Sequence, residues 1–80
     1  MGKWKTAPIQ LAYGHFLDYG DYCTAFINDV SIEIGKKALN DVKKQITERF
    51  TLRYNRGEQL IKLTDSLGNE TVLEAHIDWF

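Results

Sequence analysis

Eighty residues, 44% apolar and 26% charged, make one small globular domain and exclude collagen-like, disordered and low-complexity chains. The net charge of −1 argues against a strongly basic nucleic-acid binder and equally against an acidic mimic of DNA. A single cysteine, Cys23, allows no internal disulfide, and residues 1–8 lack the apolar stretch of a secretion signal, so a reducing, cytoplasmic setting is expected.

In chain order, residues 8–19 carry two periods at once. Ile9, Leu11 and Tyr13 alternate as in a strand, whereas Ile9, Ala12, Tyr13, Phe16 and Leu17 fit helical spacing, with Pro8 near the start and Gly20 just past the end. Gly14 costs a helix about 1 kcal/mol, which favours the strand; a short N-terminal helix is the alternative. Residues 22–27 and 30–34 read as two strands joined at Asn28-Asp29, because both turn residues tolerate left-handed dihedrals.

Residues 36–49 carry the clearest pattern. Leu39, Val42, Ile46 and Phe50 recur at intervals of three and four, with Ala38 beside them, the stripe of an amphipathic helix. Gly35 marks the break ahead of it. Lys36 and Lys37 fall in the first turn, where they oppose the helix dipole for no local reason.

After the helix the period becomes two. Residues 51–55 and 58–64 alternate about a tight turn at Asn55-Arg56-Gly57, with Gly57 able to take positive φ. A second turn spans residues 65–69. Residues 70–79 then alternate without a break: Leu73, Ala75, Ile77 and Trp79 to one side, Glu70, Val72, Glu74, His76 and Asp78 to the other. The expectation is a single compact α+β domain over residues 1–80: an antiparallel sheet of about four to five strands, one face wet, with one principal helix packed on the other. Trp4 and the Trp79-Phe80 pair should close the two ends of the core. With Trp79 buried, Phe80, Val72 and Leu60 would share an outer apolar patch suited to a homodimer or a partner.

Charge is uneven along the chain. Residues 1–35 sum to −2, residues 36–56 to +5 and residues 57–80 to −4. The basic segment offers Lys36, Lys37, Lys43, Lys44, Arg53 and Arg56 as a phosphate-binding track. No aromatic residue lies among its lysines to stack a base, and Asp41 and Glu48 interrupt it.

The segment from His15 to Tyr22 is aromatic and acidic. Tyr19 and Tyr22 would supply contact area at low entropic cost, and Asp18 and Asp21 would meet a basic protein partner. Glu74, His76 and Asp78 would share one strand face at intervals of about 6.5–7 Å. With Arg53 or Arg56 nearby they would suit a small ribonuclease. Alternation of polar residues on a wet strand produces the same row without function. No nucleophile motif, phosphate-cradling glycine loop or metal-ligand spacing is present, so no cofactor, metal or catalytic residue is expected. The leading expectation is a non-enzymatic module that binds and occludes a protein partner. Nucleic-acid binding and a ribonuclease-like activity are the alternatives.

Overall fold

A computed structural model describes residues 3–80; Met1 and Gly2, in the segment read for a secretion signal, lie outside the described residues. In chain order the elements are β1 (Lys5–Thr6), β2 (Leu11–Ala12), a 3-10 turn (Tyr13–His15), β3 (Leu17–Asp18), β4 (Tyr22–Ile27), β5 (Val30–Gly35), α1 (Lys36–Val42), β6 (Arg49–Asn55), β7 (Leu60–Thr64), β8 (Glu70–Glu74) and β9 (His76–Trp79). The expected antiparallel sheet is two sheets. One runs β1-β6-β7-β8 with β2 also on β6; the other runs β3-β4-β5-β9. One helix accompanies them, so strands dominate the architecture.

Both sheets bury alternate residues in one shared core. The first contributes Phe50, Leu52, Ile61 and Leu63; the second contributes Ala25, Ile27, Val30, Ile32, Ile34 and Ile77; the helix and its trailing turn add Leu39, Val42 and Ile46. Val30, Ile32, Phe50, Leu52, Ile61 and Leu63 have no accessible surface at all. Each such side chain stabilises the fold by about 1.5–3 kcal/mol relative to exposure. No helix among the described residues is long and apolar enough to cross a membrane.

The sheets divide at Ala75. Residues 70–79 are not one strand: β8 pairs with β7, then β9 pairs with β5 in the other sheet. The inward parity of Leu73, Ala75 and Ile77 continues through the crossing because both sheets face the same interior. Alternation therefore carries no mark of the break. Gln59 covers the junction. Its backbone carbonyl accepts the Ala75 N–H at 3.0 Å. Its side-chain amide donates to the Ile77 carbonyl and accepts the Ile77 N–H, both at 2.9 Å, as a neighbouring strand would. Gln59 takes φ +57°, whereas Gly57, which is able to take positive φ, does not. The loop is longer than a tight turn because Asn55 closes it, accepting the Glu58 N–H and donating to the Glu58 carboxylate.

The helix ends at Val42, well short of residue 49. Phe50 satisfies a helical period with Ile46 and a strand period with Leu52 and Tyr54. The strand wins, and Phe50 pairs with Leu11 on β2. Residues 43–46 form tight turns, and the Thr47 N–H donates to the Asp65 carboxylate at 3.1 Å. Residues 8–19 are neither one strand nor a helix: they split into β2, the 3-10 turn and β3. The Tyr13 hydroxyl donates to the Ile46 carbonyl at 2.9 Å and its ring packs on Phe50. This small hub ties the turn to the end of the helical segment.

Candidate interaction surfaces

The outer face of the second sheet carries the tyrosines singled out from sequence. Tyr22, Thr24 and Phe26 project outward from β4, because Cys23, Ala25 and Ile27 project inward. Thr24 is nonetheless buried, lying between Tyr22 and Phe26 and opposite Leu17. Tyr19 and Tyr22 stack, with ring centroids 5.5 Å apart and planes 18° off parallel. The Tyr19 N–H donates to the Tyr22 carbonyl. At the other end Phe80 meets Phe26 edge-on at 5.4 Å. Leu17, Tyr19, Tyr22, Phe26 and Phe80 are all between 40% and 68% exposed. A crevice of about 120 Å³ beside Phe26, lined by Ile9 and Pro8 among others, extends the apolar surface.

Acidic groups lie around and within this face, Glu33 beside Thr24. Asp18 lies on β3 and Asp21 in the β3–β4 turn, and Glu33 and Asp78 project from β5 and β9. Asp18 is committed locally. Its carboxylate accepts the Lys36 ammonium at 2.7 Å and the Gly20 N–H at 2.9 Å. The Lys36 hydrogen bond, aided by Gly20, holds the Asp18 carboxyl below the usual carboxylate range, and the same bond raises Lys36. This supplies the reason for a lysine in the first helical turn, for which no local cause was visible. Asp18 fixes the loop; Asp21 is exposed and makes no ion pair among the described residues.

Trp79, expected inside, is half-exposed, and Phe80 is 68% exposed. Trp79 lies on β9 opposite Val30, at the end of the ladder, where the Lys5 ammonium and the Arg56 guanidinium lie over its ring. Trp4 is also on the surface, under Lys62. Hence the tryptophans do not close the core. Phe80 joins Phe26, whereas Val72 and Leu60 belong to the other sheet, so the expected patch of Phe80, Val72 and Leu60 is not formed.

The basic track divides as well. Lys36 and Lys37 open α1, Lys43 follows it with its ammonium over the Tyr13 ring, and Lys44 lies in the next turn. Arg53 instead projects from the outer face of β6 opposite Lys62, and Arg56 sits in the β6–β7 loop over Trp79. α1 packs on β4 and β5, so its lysines belong to the second sheet and the arginines to the first.

Glu74, His76 and Asp78 do not form one row. Glu74 ends β8, while His76 and Asp78 lie on β9 opposite Glu33 and Ser31. Glu74 and His76 do border one open concavity of about 460 Å³, with Glu33 and Glu58. Neither arginine lines it, and no three ligating side chains among the described residues converge closely enough to hold a metal ion. Cys23 is buried on the inner face of β4.

Leu17 and Phe26 were missed from sequence, and Phe80, expected on an outer apolar patch, has Phe26 as its neighbour rather than Val72 and Leu60. The signal lay in β4: once Cys23, Ala25 and Ile27 are placed inward, Phe26 must share the outer face with Tyr22. Comparison with known protein families, curated proteins and solved structures returns no match.

Proposed function

We propose that the protein is a small non-enzymatic binding module that occludes or regulates a protein partner held on the outer face of β3-β4-β5-β9. The observation that carries this reading is the run of half-exposed apolar rings over a single sheet face, from the Tyr19–Tyr22 stack to the Phe26–Phe80 pair. A contiguous apolar surface rimmed by polar groups is what monomeric proteins avoid unless it is used. Tyrosine and phenylalanine at its two ends suit interface anchors, and Asp21, Glu33 and Asp78 select a partner that carries basic groups beside apolar ones. A standard interface needs about 800 Å² per partner, roughly a sixth of this chain's 5027 Å² surface.

Affinity capture followed by mass spectrometry tests this, using wild type, Tyr19→Ala/Tyr22→Ala and Phe26→Asp. A partner recovered by wild type and lost from both variants is expected. Equal recovery of every protein by all three would remove the face from consideration. A concentration-dependent dimer in sedimentation, abolished by Phe26→Asp, would assign the face to a second copy of the chain instead.

A further inference from the structure

Both tryptophans of the chain lie beside cations at the β1 edge of the first sheet. Lys5 on β1 is opposite Tyr54, and Thr6 is opposite Arg53; Arg53 is opposite Lys62. On the outer side of this edge the Lys62 ammonium sits 4.8 Å from the Trp4 ring centroid. On the inner side a cleft of about 190 Å³ opens between the ends of the two sheets, bordered by Lys3, Lys5, Tyr54, Arg56 and Trp79. There the Arg56 guanidinium lies 4.7 Å and the Lys5 ammonium 5.7 Å from the Trp79 ring centroid. The β1 edge thus carries an indole with cations on each of its two sides, Trp4 with Lys62 outside and Trp79 with Lys5 and Arg56 inside.

Acidic groups flank the site: Glu70 and Glu74 lie on β8 either side of Val72, which is opposite Lys62, without an ion pair to it among the described residues. Asp78 approaches Arg56 at 3.8 Å, an exposed contact that salt screens readily. Asp29 acts on Tyr54, whose phenol is raised chiefly by burial and then by that carboxylate. Lys3, Lys5, Arg53 and Lys62 make no ion pair among the described residues.

The cations now resting on the indole faces are the groups a phosphate would draw away, freeing those faces. A ligand that uses both features must alternate an anion with a flat π-system. An acidic peptide would use the charges and leave the rings idle. A duplex keeps its bases stacked inside, out of reach of Trp79. We propose that this edge binds single-stranded nucleic acid, with bases stacked on Trp4 and Trp79 and phosphates held by Lys3, Lys5, Arg53, Arg56 and Lys62. The site adjoins the protein-docking face at the Asp78–Arg56 contact.

Because the two indoles are the chain's only tryptophans, intrinsic fluorescence reports on the site directly. Titration with an oligothymidylate of about ten nucleotides, within the usual site size, should quench it at low salt. If about four phosphates are engaged, the salt slope is about −2.8, so affinity falls about 50-fold between about 50 and 200 mM salt. Anisotropy of a labelled oligonucleotide then reads the variants. Trp79→Ala should weaken binding by about 5- to 150-fold, with Trp79→Phe recovering most of it. Lys62→Ala should flatten the slope by about 0.7. Arg56→Ala replaces Trp79→Ala should that variant fail to fold. Absence of quenching at low salt overturns the proposal, as does equal affinity for duplex DNA. Polyglutamate that binds as tightly as the oligonucleotide, indifferent to Trp79→Ala, would also overturn it and assign the edge to an acidic protein.

Discussion

Gln59 is the residue on which the division into two sheets turns, and its replacement separates a side-chain effect from a backbone one. The side chain makes two hydrogen bonds to the backbone of Ile77 and a third to the Arg56 carbonyl at 2.7 Å. Each is worth about 0.5–1.5 kcal/mol, and the partly buried Ile77 groups cost more if left unpaired. Against this, φ of +57° costs a non-glycine residue about 1–2 kcal/mol. Gln59→Ala loses the bonds and keeps the strained backbone, so a loss of about 2–3 kcal/mol is expected. Gln59→Gly loses the same bonds but relieves the backbone, and should be more stable than Gln59→Ala by about 1 kcal/mol. That reverses the order found where φ is negative. Gln59→Asn tolerates the dihedral but is one methylene too short to reach Ile77, and should fall near glycine. Urea unfolding followed by circular dichroism measures all three. With a slope of about 1 kcal/mol per molar urea, alanine should lower the midpoint by about 2–3 M. An 80-residue domain holds only about 4–12 kcal/mol in total, so the effect is large. An alanine variant within about 0.5 kcal/mol of wild type, or a glycine variant less stable than alanine, would refute the reasoning.

The remaining expectations concern the two polar ties that hold the loops. The Asp65 carboxylate accepts N–H groups from Thr47, Leu67 and Asn69 and the Asn69 amide. Burial acts to raise its pKa, but these donors outweigh it and leave the pKa lowered. Its contribution to stability is therefore present above the unfolded carboxylate pKa, about 3.9, and is lost as pH falls through the folded value. Urea midpoints between about pH 7 and 2 should show a decline in wild type that is reduced in Asp65→Asn, which starts from a lower midpoint; parallel profiles would exclude Asp65 as a source. Tyr13→Phe keeps the ring on Phe50 and removes the hydroxyl that donates to Ile46. It should cost about 0.5–1.5 kcal/mol, read as a lower thermal midpoint, and an unchanged midpoint would show that the hub rests on the rings alone.

What was legible in the sequence was local. The β4–β5 hairpin follows from alternation on both sides of Asn28-Asp29, and Asn28 takes the left-handed dihedral its side chain allows. The start of the helix follows from Gly35. Phe50 was misplaced because one residue satisfies two periods, and only its pairing with Leu11 decides between them. The crossing at Ala75 left no trace because passing between sheets around a common core preserves inward parity. Trp79 shows the converse. It has the parity of an inward residue but lies at a sheet end where the opposing groups are Lys5 and Arg56, so parity no longer implies burial. Tyr19 and Tyr22 were recognisable by residue type. The other members of their face depended on which side of β4 was covered.

Charge along the chain translated least well, and the pairing of strands explains why. Lys62 belongs to the acidic C-terminal third, yet it lies opposite Arg53 from the basic middle. Lys3 and Lys5, from a segment of negative sum, border the cleft that also holds Arg56. Strand pairing brings exposed residues of different segments side by side, so a segment's net charge does not stay together on one surface. β9 makes the consequence sharpest. Asp78 and Phe80 belong to the aromatic, acid-rimmed face, while Trp79 between them belongs to the basic cleft. Three consecutive residues thus serve two surfaces of opposite charge. A substitution at Trp79 perturbs one surface and a substitution at Phe80 the other. The two surfaces meet on β9 and at the Asp78–Arg56 contact, the direct route for coupling if two ligands bind together. By linkage that coupling is reciprocal: whatever a partner on the aromatic face does to affinity in the cleft, a strand in the cleft does equally to affinity for the partner.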